Sequence, residues 1–177
     1  WKDPKLINGV MVNLYDNMNL EDFNYWQREA WRLQNLSSMS DEAQGSFQKE
    51  PMFDNGNATY TYEDAMFEQK FSERYKYIRN CNDFISQLEE ATALSDSEKK
   101  QLLAESRFIR AFHYFTMVKR YGGVPLITEP QEYDPNNLEA LMVSRNKEVE
   151  IYDFIIKESQ EAAQELPETR SADTKYR

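Results

Sequence analysis

The stretch AESRFIRAFHYFTMVKRYGGVPLI, residues 104–127, decides the fold. Up to Tyr121 it contains neither Gly nor Pro, and Ala104, Phe108, Ala111, Phe115 and Val118 recur at steps of four and three, the spacing of one helix face. Small residues alternating with rings allow close approach of another helix, so this stripe is expected to pack against a partner. Both ends of the helix are marked. Upstream, Ser95-Asp96-Ser97-Glu98 is a capping box, with Ser95 as N-cap and Glu98 reaching back to it. Downstream, Gly122 suits the left-handed position after a helix, and Val124-Pro125 forces an extended exit. The expected helix spans 95–121.

From Asn57 to Tyr121 there is no Gly or Pro at all, which favours long helices over strands. A preceding helix over about 63–93 places Phe67, Phe71, Tyr75, Ile78, Asn82, Ile85 and Leu88 on one stripe. A turn at Ala93 to Ser95 would make the two long helices an αα-hairpin. Asn82 is the polar member of the stripe, and a buried amide must be hydrogen-bonded, so it is expected to fix a neighbouring loop or helix end. Further out, Pro4 opens a helix over about 4–18 carrying Ile7, Met11, Leu14, Tyr15 and Met18. Residues 122–145 form a loop with Pro125, Pro130 and Pro135, and a last helix over about 146–166 presents Val149, Tyr152, Ile155, Ile156, Ser159, Ala162 and Leu166 before Pro167. Residues 20–62 mix Trp26, Trp31, Phe47, Phe53, Tyr60 and Tyr62 with Ser, Asn, Asp and Gly, without sustained periodicity. They read as a long, ordered, aromatic loop region with room for a short helix over 21–33. The fold class is therefore all-α, helical hairpins of tetratricopeptide-like kind with long loops, although no clean 34-residue repeat is visible.

Composition excludes several classes of function. The 177 residues carry 31 acidic and 21 basic side chains, with local charges of −4 over 1–62, 0 over 63–121 and −6 over 122–177. Without a basic surface to displace counterions from phosphates, nucleic acid is not expected as a partner. The single cysteine, Cys81, offers neither a disulfide nor a metal cluster. Gly122-Gly123 is the only glycine pair, so no phosphate-cradling motif exists. With one histidine, His113, and no HExxH or G-x-S-x-G, no catalytic residue, cofactor or metal is expected. His113 is expected to pack or to bond a loop, and Arg107 and Arg110 to pair with Glu105 or with carboxylates of an adjacent helix.

The run from Ala104 to Phe115, followed by Val118-Lys119-Arg120-Tyr121-Gly122-Gly123-Val124-Pro125-Leu126-Ile127, resembles the signature of SusD/RagB-type nutrient-binding lipoproteins. Tyr75-x2-Ile78-x3-Asn82 upstream, and Ser144-Arg145 with Glu148, Tyr152 and Ile155-Ile156 downstream, resemble the flanking helices of that family. Phe71 stands where the family commonly has Trp, and Ser106 where Ala is usual. The resemblance implies a cell-surface protein that captures oligosaccharide and passes it to a SusC-like TonB-dependent transporter of the bacterial outer membrane. It also implies a lipid anchor lying outside this chain, and that residues 1–177 are the N-terminal helical part of a longer protein. A peptide-binding member of the same family and a tetratricopeptide-like protein adaptor are the alternatives.

Sugars offer apolar ring faces and many hydroxyls, so they are held by aromatic platforms beside polar side chains. On loop position and residue type, the ligand-binding candidates are Trp31, Asp41, Glu42, Asn57, Tyr60 and Tyr62.

Overall fold

A computed structural model describes the backbone of residues 1–18 and 63–168 and the side chains of 1–18 and 71–168. Among these residues four α-helices follow one another, α1 (Pro4–Asp16), α2 (Glu63–Glu89), α3 (Asp96–Tyr121) and α4 (Glu148–Glu165), with a 3₁₀ turn at Leu138–Leu141. Among the described residues there is no strand, and no helix is long and apolar enough to cross a membrane. The six candidates Trp31, Asp41, Glu42, Asn57, Tyr60 and Tyr62 lie outside the described residues.

Local chemistry sets the helix ends. Asp3 caps α1 by accepting from the Lys5 N–H, with Pro4 beginning the first turn. Ser95 and Glu98 form the expected reciprocal capping box of α3: Glu98 Oε2 accepts from the Ser95 N–H at 2.9 Å, and Ser95 Oγ accepts from the Glu98 N–H at 3.3 Å. At the other end Gly122 has φ of 64°, where a side chain is strained, and its N–H closes onto Val118 O at 2.9 Å. Gly123 is small for a different reason, since a Cβ there would stand 2.2 Å from the Asn146 carbonyl oxygen. The second helix ends at Glu89, earlier than the pattern predicts. Ala91 is fully buried and its N–H bonds Leu88 O in a tight turn, so the chain leaves the helix to insert that methyl.

Two clusters make the core. Ile7, Met11 and Leu14 of α1 meet Cys81, Phe84 and Leu88 of α2 and Leu102 and Ile109 of α3. Nearer the far end of α3, Tyr114, Met117 and Val118 meet Ile78 of α2, Val124 of the exit segment and Ile151 of α4. Helix α3 is thus the central one, and its buried residues run almost all the way round, from Ile109 and His113 through Arg110 and Tyr114 to Ala111 and Val118. The uncovered sector holds Phe108 and Phe115, each 42% exposed, with Lys119 Nζ 5.3 Å from the Phe115 ring centre.

That placement corrects the sequence reading. The stripe Ala104, Phe108, Ala111, Phe115, Val118 lies at the edge of the contact: its small members are buried while its rings lean outward. Phe108→Ala and Phe115→Ala should therefore cost only about 1 kcal/mol each, against about 2 to 5 kcal/mol for Ile109→Ala. Thermal denaturation of the three variants checks this, and equal losses for all three would place the rings in the core.

A second correction concerns α4, where Val149 and Ile156 are 59% and 52% exposed. The face that meets α3 carries Ile151, Phe154, Ile155, Glu158 and Ala162, with Glu158 itself buried. A carboxylate in the middle of the inner face shifts the apparent apolar stripe off its true register.

Candidate functional site

After Gly122 the chain runs extended beside α2, α3 and α4, where no strand among the described residues takes its backbone hydrogen bonds. Side chains take most of them instead. Arg145 Nη1 donates to Gly123 O at 3.1 Å, and the Asn146 N–H to Val124 O at 3.0 Å. The Tyr75 hydroxyl donates to Pro125 O at 2.7 Å. Leu126 N–H donates to Asn146 Oδ1 at 3.0 Å. The Tyr114 hydroxyl accepts from the Ile127 N–H at 2.7 Å and donates to Ile127 O at 2.9 Å. Asn82 Nδ2 donates to Ile127 O at 3.0 Å and to Glu129 O at 3.3 Å, and Arg110 Nη1 to Thr128 O at 2.8 Å. Asn82 therefore fixes a loop, as its place in an apolar stripe predicts.

Behind this segment lies a buried charge cluster. Arg110 Nη2 meets Glu158 Oε2 at 2.7 Å, while its Nη1 also donates to Asn82 Oδ1 at 2.9 Å. Arg107 binds the other Glu158 oxygen at 2.7 Å and also bonds Glu161, so both arginines pair with the adjacent helix. Glu105 goes elsewhere, accepting from the Tyr15 hydroxyl and from Gln101 Nε2. Burial alone would raise the Glu158 carboxyl, but the bonds and charges of Arg107 and Arg110 outweigh it and hold the group below the usual carboxylate range. Burial pushes the Tyr114 phenol up to about 12 and the Cys81 thiol up to about 12, so neither ionises near neutrality.

His113 is fully buried. Arg74 Nη1 stands 3.2 Å from its Nδ1, and a guanidinium only donates, so the ring proton belongs on Nε2, which finds no partner. Burial first, and the charge of Arg74 second, push the imidazole down to about 3. The bond is thus to a helix side chain rather than to a loop. Below pH 6.5 the unfolded chain takes up a proton that the folded one refuses, so stability should fall with pH, by roughly 2 to 3 kcal/mol between pH 6.5 and 4.5 from this group. Glu158 adds a loss in the same direction only as pH drops through its own lowered value. Denaturant titrations across that range test the assignment: His113→Gln should flatten the slope between pH 6.5 and 4.5, and an unchanged slope would refute it.

In front of the segment, on the solvent side, a groove of about 460 Å³ runs between α2 and the proline-rich loop. Tyr75, Lys76, Ile78, Arg79 and Asn82 line it from the helix, and Ile127, Glu129, Gln131, Tyr133 and Leu141 from the loop. It joins apolar ring surface to hydrogen-bond donors of both charged and neutral kind, with one carboxylate, Glu129, as an acceptor beside them. Sequence reasoning placed no candidate here. The available signal was Tyr133, an aromatic residue between Pro130 and Pro135 in a stretch otherwise polar.

A model of the SusD-like family, described as starch-binding associating with outer membrane, matches residues 3–177. The chain belongs to the SusD-like family. A curated SusD-like protein of Formosa agariphila is 28% identical over 170 residues, which is 93% of this chain and 30% of that protein. A SusD-like crystal structure from Bacteroides fragilis is 26% identical with a TM-score of 0.70, covering 99% of this chain and 32% of the other. A laminarin-binding SusD-like protein is 25% identical with a TM-score of 0.70, covering 99% and 37%. This SusD-like chain thus spans about a third of the length of its relatives. Its signature is explained by the packing above: Arg110, Tyr114, Gly122 and Gly123 each hold or admit the extended segment.

Proposed function

We propose that this chain is part of a glycan-capture protein of the bacterial outer-membrane surface, one that binds oligosaccharide without catalysis and passes it to a SusC-like TonB-dependent transporter. The observation that carries the reading is the family match over residues 3–177 to starch-binding proteins associating with the outer membrane. The likeness to a laminarin-binding protein makes β-glucan oligosaccharides the first ligands to try. Attachment is through a lipid group, as the likeness to SusD/RagB-type lipoproteins implies. Trp31, Tyr60 and Tyr62 supply sugar platforms, with Asp41, Glu42 and Asn57 bonding hydroxyls beside them. Only a large nutrient needs capture at the cell surface. Deletion of the gene should therefore slow growth on the oligosaccharide and leave growth on its monosaccharide unchanged, whereas equal defects on both would contradict the reading.

A further inference from the structure

The groove between α2 and the proline-rich loop combines features that point to one class of ligand. Its wall is held rigid from behind, because the carbonyls of Pro125, Ile127, Thr128 and Glu129 are all bonded by side chains of the helices. Pro130 and Pro135 restrict the backbone on either side of Tyr133, which lowers the cost of ordering it around a ligand. Tyr133 is 72% exposed, and among the described residues no ring or hydrogen-bond partner holds it. A volume of about 460 Å³ falls within the range of small-ligand sites.

Other ligand classes fit less well. A peptide adding as a strand needs free backbone acceptors, and those of Pro125, Ile127, Thr128 and Glu129 are already used. An anionic group needs net positive charge, whereas Lys76 and Arg79 are accompanied by Glu129 in the groove and by Asp83, 3.7 Å from Arg79. A purely apolar molecule would offer nothing to the polar groups of Glu129 and Gln131. A pyranose uses both halves of the surface: its CH face covers an aromatic ring, and its hydroxyls bond carboxylate, amide and guanidinium.

We propose that this groove is a saccharide subsite, with Tyr133 stacking on one sugar ring and Arg79, Glu129 and Gln131 bonding its hydroxyls. The inference rests on the glycan-binding reading and adds residues other than Trp31, Tyr60 and Tyr62 to it. The test is affinity electrophoresis against a panel of soluble polysaccharides including laminarin and starch, followed by calorimetric titration of oligosaccharides from whichever is retained. Tyr133→Ala, at an exposed loop position, should keep the parent melting temperature and bind about three- to tenfold more weakly. Tyr133→Phe, which keeps the ring face, should bind within about twofold of the parent. If the parent binds and Tyr133→Ala binds equally well, the subsite is wrong while the glycan reading stands. If the parent is retained by no polysaccharide in the panel, the glycan reading itself fails, and the subsite with it.

Discussion

Arg110→Ala should destabilise the chain by about 3 to 5 kcal/mol, because it leaves charges and dipoles stranded. Glu158, buried in the middle of the α4 face, would lose one of its two guanidinium partners, and Asn82 Oδ1 and Thr128 O would lose their donor. Glu158→Ala should cost a similar amount by leaving Arg110 buried with its charge unmatched. The double variant should cost clearly less than the sum, since each single change removes the same interaction. Chemical denaturation of the three proteins reads this out. Two small, additive losses would mean that the cluster is solvated and contributes little.

The second large effect belongs to Tyr114, the largest fully buried side chain among the described residues. Tyr114→Ala removes a ring that packs edge-on against Phe154, at 5.4 Å between centres, and should cost about 3 to 5 kcal/mol. Tyr114→Phe separates the packing from the clamp: it keeps the ring and removes only the hydroxyl that brackets Ile127. Its cost should be about 1 to 2 kcal/mol, with hydrogen exchange accelerated at the Ile127 amide and not along α4. Unchanged exchange at Ile127 would show that the hydroxyl does not hold the segment.

What the sequence discloses and what it conceals separate by range. Ser95 with Glu98, Pro4 after Asp3, and Gly122 act on groups within about four residues, so the ends they mark can be read directly. Asn82 is legible because a lone amide in an apolar stripe must find a partner, although not which one. The clamp on residues 123–129 is hidden, since its donors come from Tyr75 and Asn82, 50 and 45 residues away from their carbonyls, and from Arg110, 18 away. The face of α4 is misread because Glu158 is polar, and periodicity treats a buried carboxylate as solvent-facing. Phe108 and Phe115 are misread because α3 is enclosed from several sides, so its buried arc is wider than any single stripe. The groove escapes notice for a similar reason: Arg79 and Tyr133 become neighbours across it only when the loop is pinned.

The measurement that bears most directly on the central claim is calorimetric titration of the chain with laminarin oligosaccharides and starch oligosaccharides, in parallel with Trp31→Ala, Tyr60→Ala and Tyr62→Ala. Stacking on one or two rings with solvent-facing hydrogen bonds predicts saturable binding in the micromolar to millimolar range, weakened in at least one folded variant. Absence of saturable heat with either series, in protein that melts cooperatively, would contradict glycan capture by this chain.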